Sequence, residues 1–232
     1  MKSILIADDH EIVRRGVIMI LESFAEKYNI IEADSCADVE KILDTKRPEY
    51  AVLDMNLVDG NIFSIIQNIA ELHPNTRILV YTMKDERIYG LRLLKLGVKG
   101  FISKLSPLQE LKEAMRKFLR DGMYLSAQLQ KQMFVSAQEG LKDNPMDSLS
   151  DRELEVAEYV AMGLGVNEIA TKMNLNITTV STYRRRAFEK LDVDNMIELK
   201  EKFSIYGTGA GSYTCKEKIN IKRLRPISAL II

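Results

Sequence analysis

Five short apolar runs in the first half of the chain stop at side chains suited to phosphate or metal chemistry. ILIA runs into Asp8 and Asp9, IIEA into Asp34, AVL into Asp54, ILVY into Thr82 and FIS into Lys104. Two adjacent carboxylates at the end of a buried strand repel each other, and burial raises at least one pKa unless a cation sits between them. With Asp54 converging on Asp8 and Asp9, three carboxylates suit a hard divalent cation such as Mg²⁺, its octahedron completed by waters, a backbone carbonyl and a phosphate oxygen. Lys104 offers a compact positive charge to a phosphoryl oxygen, and Thr82 offers a hydroxyl donor. An aspartate can itself accept a phosphoryl group as an acyl phosphate. Asp54 is the better acceptor, because Asp8 and Asp9 are better explained as metal ligands. Taken singly, an acidic residue at a strand end is commonly a solvated loop start or a helix N-cap. Only the set points to a site. Asp34 is given the ordinary role, since its strand is expected at the sheet edge. His10 and His73 read as a loop residue and a pre-proline turn residue, neither with a histidine or cysteine companion.

The elements that must position these residues are legible up to about Gly122. SILIAD, NIIEAD, YAVLD, RILVYT and GFISK alternate with helix-length amphipathic stretches. Nearly continuous apolar strands joined by helical crossovers predict a doubly wound parallel sheet covered on both faces. Ligands of such sheets bind beyond the carboxyl ends of the strands, where all the chosen residues fall.

With the pair Asp8-Asp9, the lone Asp54 in VLDMNLVDG, Thr82, and Lys104 in KGFISK, residues 1–121 resemble the receiver domain of two-component response regulators. The resemblance implies a flavodoxin-like fold with strand order 2-1-3-4-5. It implies Asp54 as phosphoacceptor, and Asp8, Asp9, Asp54 and the backbone carbonyl of Asn56 as Mg²⁺ ligands. Thr82 and Lys104 become the phosphate-sensing pair. Phe101 becomes the aromatic switch, expected to rotate behind Thr82 as it moves, with Phe in place of the commoner Tyr forfeiting a hydroxyl hydrogen bond.

After Gly122 the pattern changes. The polar, helix-like stretch YLSAQLQKQMFVSAQEGLKDNPMDS, with a loop at Asn144-Pro145, reads as a linker. In LSDREL, Ser150 and Glu153 have capping-box spacing, and acidic residues crowd the first turn of a helix running to about Gly163. A short second helix in NEIATKMN, a turn, and a third helix from Thr178 predict a helix-turn-helix with the later helix as reader. On a helical wheel Val180, Ala187 and Leu191 pack inward, while Ser181, Thr182, Arg185 and Arg186 face away with hydroxyl and guanidinium groups suited to DNA. Residues 148–203 carry eight Lys/Arg against ten Asp/Glu. The alternative is therefore a dimerisation or protein-binding module with a solvated arginine face.

The stretch LSDRELEVAEYVAMGLGVNEIATKMNLNITTVSTYRRRAFEKLDV resembles the LuxR-type output domain of NarL/FixJ-type response regulators. That resemblance implies double-stranded DNA as partner, with Thr178, Thr179, Ser181, Thr182, Arg185, Arg186 and Lys190 as contacts. Departures at GVNEIA, Tyr183 and Arg184 bear on the operator sequence more than on binding itself. The expected domains are a receiver (1–122), a linker (123–147), an all-α helix-turn-helix domain (148–205) and a tail (206–232). The Gly-rich, then basic, then apolar tail, with Cys215, reads as disorder or as incidental, non-native sequence.

Composition bounds the rest. The 232 residues hold 33 Lys+Arg and 33 Asp+Glu, so the formal net charge is zero and gives no global sign of a partner. Cys36 and Cys215 lack any CxxC spacing, which argues against a disulfide framework or a zinc site and fits a reducing cytoplasm. The opening MKSILIADDH meets charge too soon for a secretory signal, and no run approaches a membrane span. The combined expectation is a cytoplasmic, phosphorylation-switched transcriptional regulator, not an enzyme. It would take its phosphoryl group from a sensor histidine kinase with Mg²⁺, and dimerise on promoters as the family implies, with NMIELKEKF as the output-domain dimer surface. Two alternatives stand beside it. One is a DNA-binding regulator with a vestigial receiver. The other is a phosphatase of the haloacid dehalogenase type, whose DxD is absent because Met55 and Asn56 follow Asp54.

Overall fold

The computed structural model describes residues 2–138 and 144–206. Its first part alternates β1 (Ser3–Ala7), α1 (Glu11–Glu22), β2 (Asn29–Ala33), α2 (Cys36–Lys46) and β3 (Tyr50–Leu53). A small antiparallel hairpin of β4 (Asn56–Leu57) and β5 (Gly60–Asn61) comes next. Then follow α3 (Phe63–Leu72), β6 (Arg77–Thr82), α4 (Glu86–Lys95), β7 (Gly100–Ser103) and α5 (Leu108–Asp121). The five long strands form one parallel sheet in the order β2-β1-β3-β6-β7. Counting those strands alone, this is the expected order 2-1-3-4-5, and β2, ahead of Asp34, is an edge strand.

Alternation along each strand separates two cores, because successive side chains point to opposite faces. Leu5, Ala7, Ala51, Leu53, Ile78, Val80 and Phe101 face α2, α3 and α4. Ile4, Ile6, Tyr50, Val52, Leu79 and Ile102 face α1 and α5. Each fully buried Leu, Ile or Phe contributes about 1.5–3 kcal/mol relative to exposure, which fixes the register and with it the strand ends. Gly100 admits β7 to this packing. A Cβ there would lie 2.5 Å from Leu79 Cδ1 and 2.9 Å from the Tyr124 carbonyl oxygen.

The expected linker contains a helix, α6 (Ala127–Gln138), laid on α4 with Leu129 buried against Gly90. A 3-10 turn at Pro145–Ser148 leads into α7 (Asp151–Ala161), α8 (Val166–Met173), α9 (Ile177–Leu191) and α10 (Met196–Tyr206). Ser150 and Glu153 form the expected capping box on α7: the Ser150 hydroxyl accepts from Glu153 N, and the Glu153 carboxylate accepts from Ser150 N at 2.9 Å. Val180, Ala187 and Leu191 are buried as the wheel required. The expected tail beyond Tyr206, Cys215 included, lies outside the described residues.

Candidate functional site

The carboxyl edge of the sheet gathers the residues picked from the sequence. Asp8 follows β1, Asp54 follows β3, Thr82 ends β6 and Lys104 follows β7. The Lys104 ammonium lies 2.6 Å from Asp8 Oδ2 and 2.6 Å from Asp54 Oδ2, bridging two buried carboxylates. Burial works against this ammonium, but the Asp54 and Asp8 carboxylates outweigh it and hold its pKa above the ordinary 10.5. It stays charged. The second Asp54 oxygen accepts from Met55 N at 2.6 Å, which fixes the plane of the carboxylate.

Asp9 is exposed beside this pair. His10 Nδ1 sits 2.6 Å from Asp9 Oδ1 and 3.4 Å from Asp8 Oδ1, so His10 joins the acidic cluster instead of standing apart in its loop. Asp8, Asp9 and His10 each place one ligand atom within 4.8 Å of the others. A site this rich in carboxylate oxygen fits a hard divalent cation, and the doubly bonded Lys104 ammonium marks how strongly it calls for positive charge.

Thr82 is fully buried, and its main-chain carbonyl accepts from Lys104 N at 2.8 Å. Its Oγ1 accepts from Lys84 N across a long 3.4 Å. Phe101 is 1% exposed and packed into the core on the α4 face of the sheet. Asn56 lies on the β4–β5 hairpin, which the sequence reading did not resolve although Asp59-Gly60 is a turn signal. Asp59 of this hairpin accepts from Cys36 N at 2.6 Å and Ala37 N at 3.0 Å, capping α2 from across the site. Burial, with the Asp59 charge behind it, pushes the Cys36 thiol up to about 12.

On α9, Thr178, Ser181, Arg185 and Arg186 are exposed, and Thr179 and Thr182 partly so. Arg185 pairs with Glu189 at 2.6 Å on the surface, a weak bond that a phosphate can replace. Arg184 stacks over the Phe188 ring at 5.2 Å. Lys190, expected among the DNA contacts, pairs its ammonium with Glu153 at 2.6 Å and stays 42% exposed. The reason is local: Glu153 is buried by its capping role and draws the nearest cation.

A further set escaped the sequence reading. Lys84 forms an ion pair with Glu158 of α7, and the Tyr89 phenol bonds the same carboxylate. Arg92 of α4 reaches Asp151 at 3.1 Å, the Met146 carbonyl at 3.2 Å and the Leu149 carbonyl. The acidic surplus of residues 148–203 was the available signal. Part of that surplus faces these receiver cations, which leaves the exposed face of α9 basic.

Comparison with known proteins agrees with this geometry. Residues 4–116 match the family described as response regulator receiver domain, and residues 147–201 match bacterial regulatory proteins of the luxR family. The response regulator GacA of Pseudomonas aeruginosa is 30% identical over 200 residues, spanning 86% of this chain and 94% of that protein. The chain belongs to the NarL/FixJ-type response regulators. The oxygen regulatory protein NreC of Staphylococcus epidermidis is 33% identical to this regulator, over 85% of this chain and 94% of its own. Among solved structures, RcsB from Salmonella enterica serovar Typhimurium, bound to promoter P1flhDC in the presence of phosphomimetic BeF3-, aligns with a TM-score of 0.64 at 27% identity, covering 88% of the regulator and 98% of RcsB. The regulator thus joins a receiver to a LuxR-type DNA-binding domain. Among its described residues no helix is long and apolar enough to cross a membrane.

Proposed function

We propose that the regulator is switched by transfer of a phosphoryl group from a sensor histidine kinase to Asp54, and that the phosphorylated form dimerises on promoter DNA. The observation that carries this reading is the Lys104 ammonium held at 2.6 Å by both Asp8 and Asp54. An Asp54 oxygen attacks phosphorus, a P–O bond forms and the P–N bond to the kinase histidine breaks, leaving an aspartyl phosphate. Asp8, Asp9, Asp54 and the Asn56 carbonyl would hold Mg²⁺, which offsets the charge gathering on the phosphoryl oxygens. Lys104 then binds one phosphoryl oxygen and Thr82 donates its hydroxyl to another. Phe101 is the proposed aromatic switch, its ring rotating into the space behind Thr82 as the threonine moves toward the phosphoryl group.

Thr178, Thr179, Ser181, Thr182, Arg185, Arg186 and Lys190 form the proposed DNA contacts, from one α9 in each of two subunits. The proposed domains run 1–122, 123–147 and 148–205, and a cytoplasmic location follows from the function. The RcsB complex on promoter DNA supports this arrangement by analogy.

Incubation with a small-molecule phosphodonor and Mg²⁺ tests the reading. The parent chain should gain one phosphoryl group by intact mass, and Asp54→Ala should gain none. An unlabelled parent would favour the vestigial-receiver alternative, while turnover of simple phosphate esters would favour the phosphatase.

A further inference from the structure

The hairpin that carries Asn56 is anchored on a different part of the sheet from the strand it leaves. In the order β2-β1-β3, the strands β2 and β3 flank β1, whose end leads into Asp8 and Asp9. The chain leaves β3 at Asp54, turns through β4 and β5, and at the tip of that hairpin reaches the start of α2, just beyond β2. There Asp59 accepts from Cys36 N at 2.6 Å and Ala37 N at 3.0 Å, and Val58 N donates to the Asp34 carbonyl at 3.4 Å. Neighbouring strands lie about 4.8 Å apart, so the hairpin spans roughly 10 Å across the end of β1. Asn56 lies on that span. The base of the span is closed as well: Ile62 N donates to the Met55 carbonyl at 2.8 Å, and Asn56 pairs with Asn61 in the ladder.

With its base closed, the hairpin is held over β1 by the clasp at its tip. The first amides of a helix have no carbonyl of their own helix to meet, and here one carboxylate from the hairpin meets two of them. Burial works against the Asp59 charge, but the Cys36 and Ala37 amides outweigh it and hold its pKa below the ordinary 3.8. That charge is matched by the N-terminus of α2, so Asp59 acts on the acidic site through the hairpin and not as a ligand. Ser35 caps the same helix from within its own loop, accepting from Asp38 N at 3.2 Å. Gly60 lies over the buried Cys36 thiol, where a Cβ would stand 3.7 Å from Sγ. We propose that Asp59 is a positioning residue for the metal: its clasp on α2 sets the Asn56 carbonyl at the cation, so that Mg²⁺ binding and closure of the clasp are linked. This rests on the reading of Asn56 as a Mg²⁺ ligand above. Linkage is reciprocal. Whatever factor the clasp adds to Mg²⁺ affinity, Mg²⁺ adds to closure of the clasp, and with it to the shielding of Cys36.

Calorimetric titration of the full chain with magnesium chloride tests it, alongside alkylation of Cys36 by N-ethylmaleimide in a Cys215→Ser background and phosphoryl uptake from acetyl phosphate. Asp59→Ala should weaken Mg²⁺ binding about tenfold, in line with the loss of a group that orients a metal ligand. Asp59→Asn keeps one acceptor for the α2 amides and should fall between that variant and the parent. Mg²⁺ should slow Cys36 alkylation several-fold in the parent and leave it unchanged in Asp59→Ala. Ser35→Ala loosens α2 without releasing the hairpin, so it should melt earlier than the parent yet bind Mg²⁺ equally well. Equal Mg²⁺ affinity in the parent and Asp59→Ala, or parent alkylation indifferent to Mg²⁺, would overturn the positioning role. So would an equal loss of affinity in Ser35→Ala, which would reduce Asp59 to a helix cap. A parent that binds no Mg²⁺ would remove the ligand set and the clasp together. A parent that binds Mg²⁺ in the expected pattern but takes up no phosphoryl group would sink the phosphorylation reading and leave the clasp standing.

Discussion

Lys104 holds two buried carboxylates at once, and its removal leaves both without a cation. Lys104→Ala should cost about 3–5 kcal/mol in the absence of divalent metal, because uncompensated buried charge is expensive. Adding Mg²⁺ should then raise the thermal midpoint of the variant more than that of the parent, measured by melting with and without chelator. An equal Mg²⁺ response in both would show that Asp8 and Asp54 do not share one field of charge. At this scale the sequence was informative where chemistry restricts residue type. Asp8, Asp54, Thr82 and Lys104 could be chosen because each ends an apolar run, and the fold brings them to one edge. The pairing of Lys190 with Glu153 was not legible, because the two lie 37 residues apart in sequence and Glu153 is buried for a reason of its own. Basic residues on a reader helix look alike until a buried carboxylate claims one.

Among the elements, α7 depends on its N-terminal box. Ser150→Ala should destabilise the output domain by about 0.5–2 kcal/mol in chemical denaturation, the usual cost of losing a cap. Glu153 adds a pH dependence. Burial raises its pKa, but Lys190 and the Ser150 donors outweigh burial and the folded value lies below the ordinary 4.5. Its contribution is therefore complete above about that ordinary value and is lost as pH falls through the lower folded value. Acid titration of the melting midpoint should show this loss, and Glu153→Gln should abolish it. β7 gives a second handle: Gly100→Ala drives a methyl into Leu79 and the Tyr124 carbonyl, and overpacking of this kind costs about 1–3 kcal/mol. The helices and five long strands were readable because apolar period and length separate the two types. The hairpin at Asn56–Asn61 was not, because two-residue strands carry no period.

In the whole molecule, the acidic surplus of the output sequence has a place. Asp151 and Glu158 lie against Arg92 and Lys84, so a zero net charge conceals one face built for the receiver and another open to phosphate. Log affinity for DNA should fall linearly with log salt, and Arg186→Ala should lower the slope by about one. An unchanged slope would remove Arg186 from the contact set. Domain docking was invisible in the sequence because it pairs residues on helices that have no register with each other.

The open face of α9 in the docked form also has a kinetic meaning. A chain whose reading helix is uncovered can encounter DNA, slide and depart before any kinase has acted, at rates set by its local charge and the ionic strength. Phosphorylation would then lengthen residence at paired half-sites and leave the speed of arrival almost untouched, a division that single-molecule dwell times would read directly.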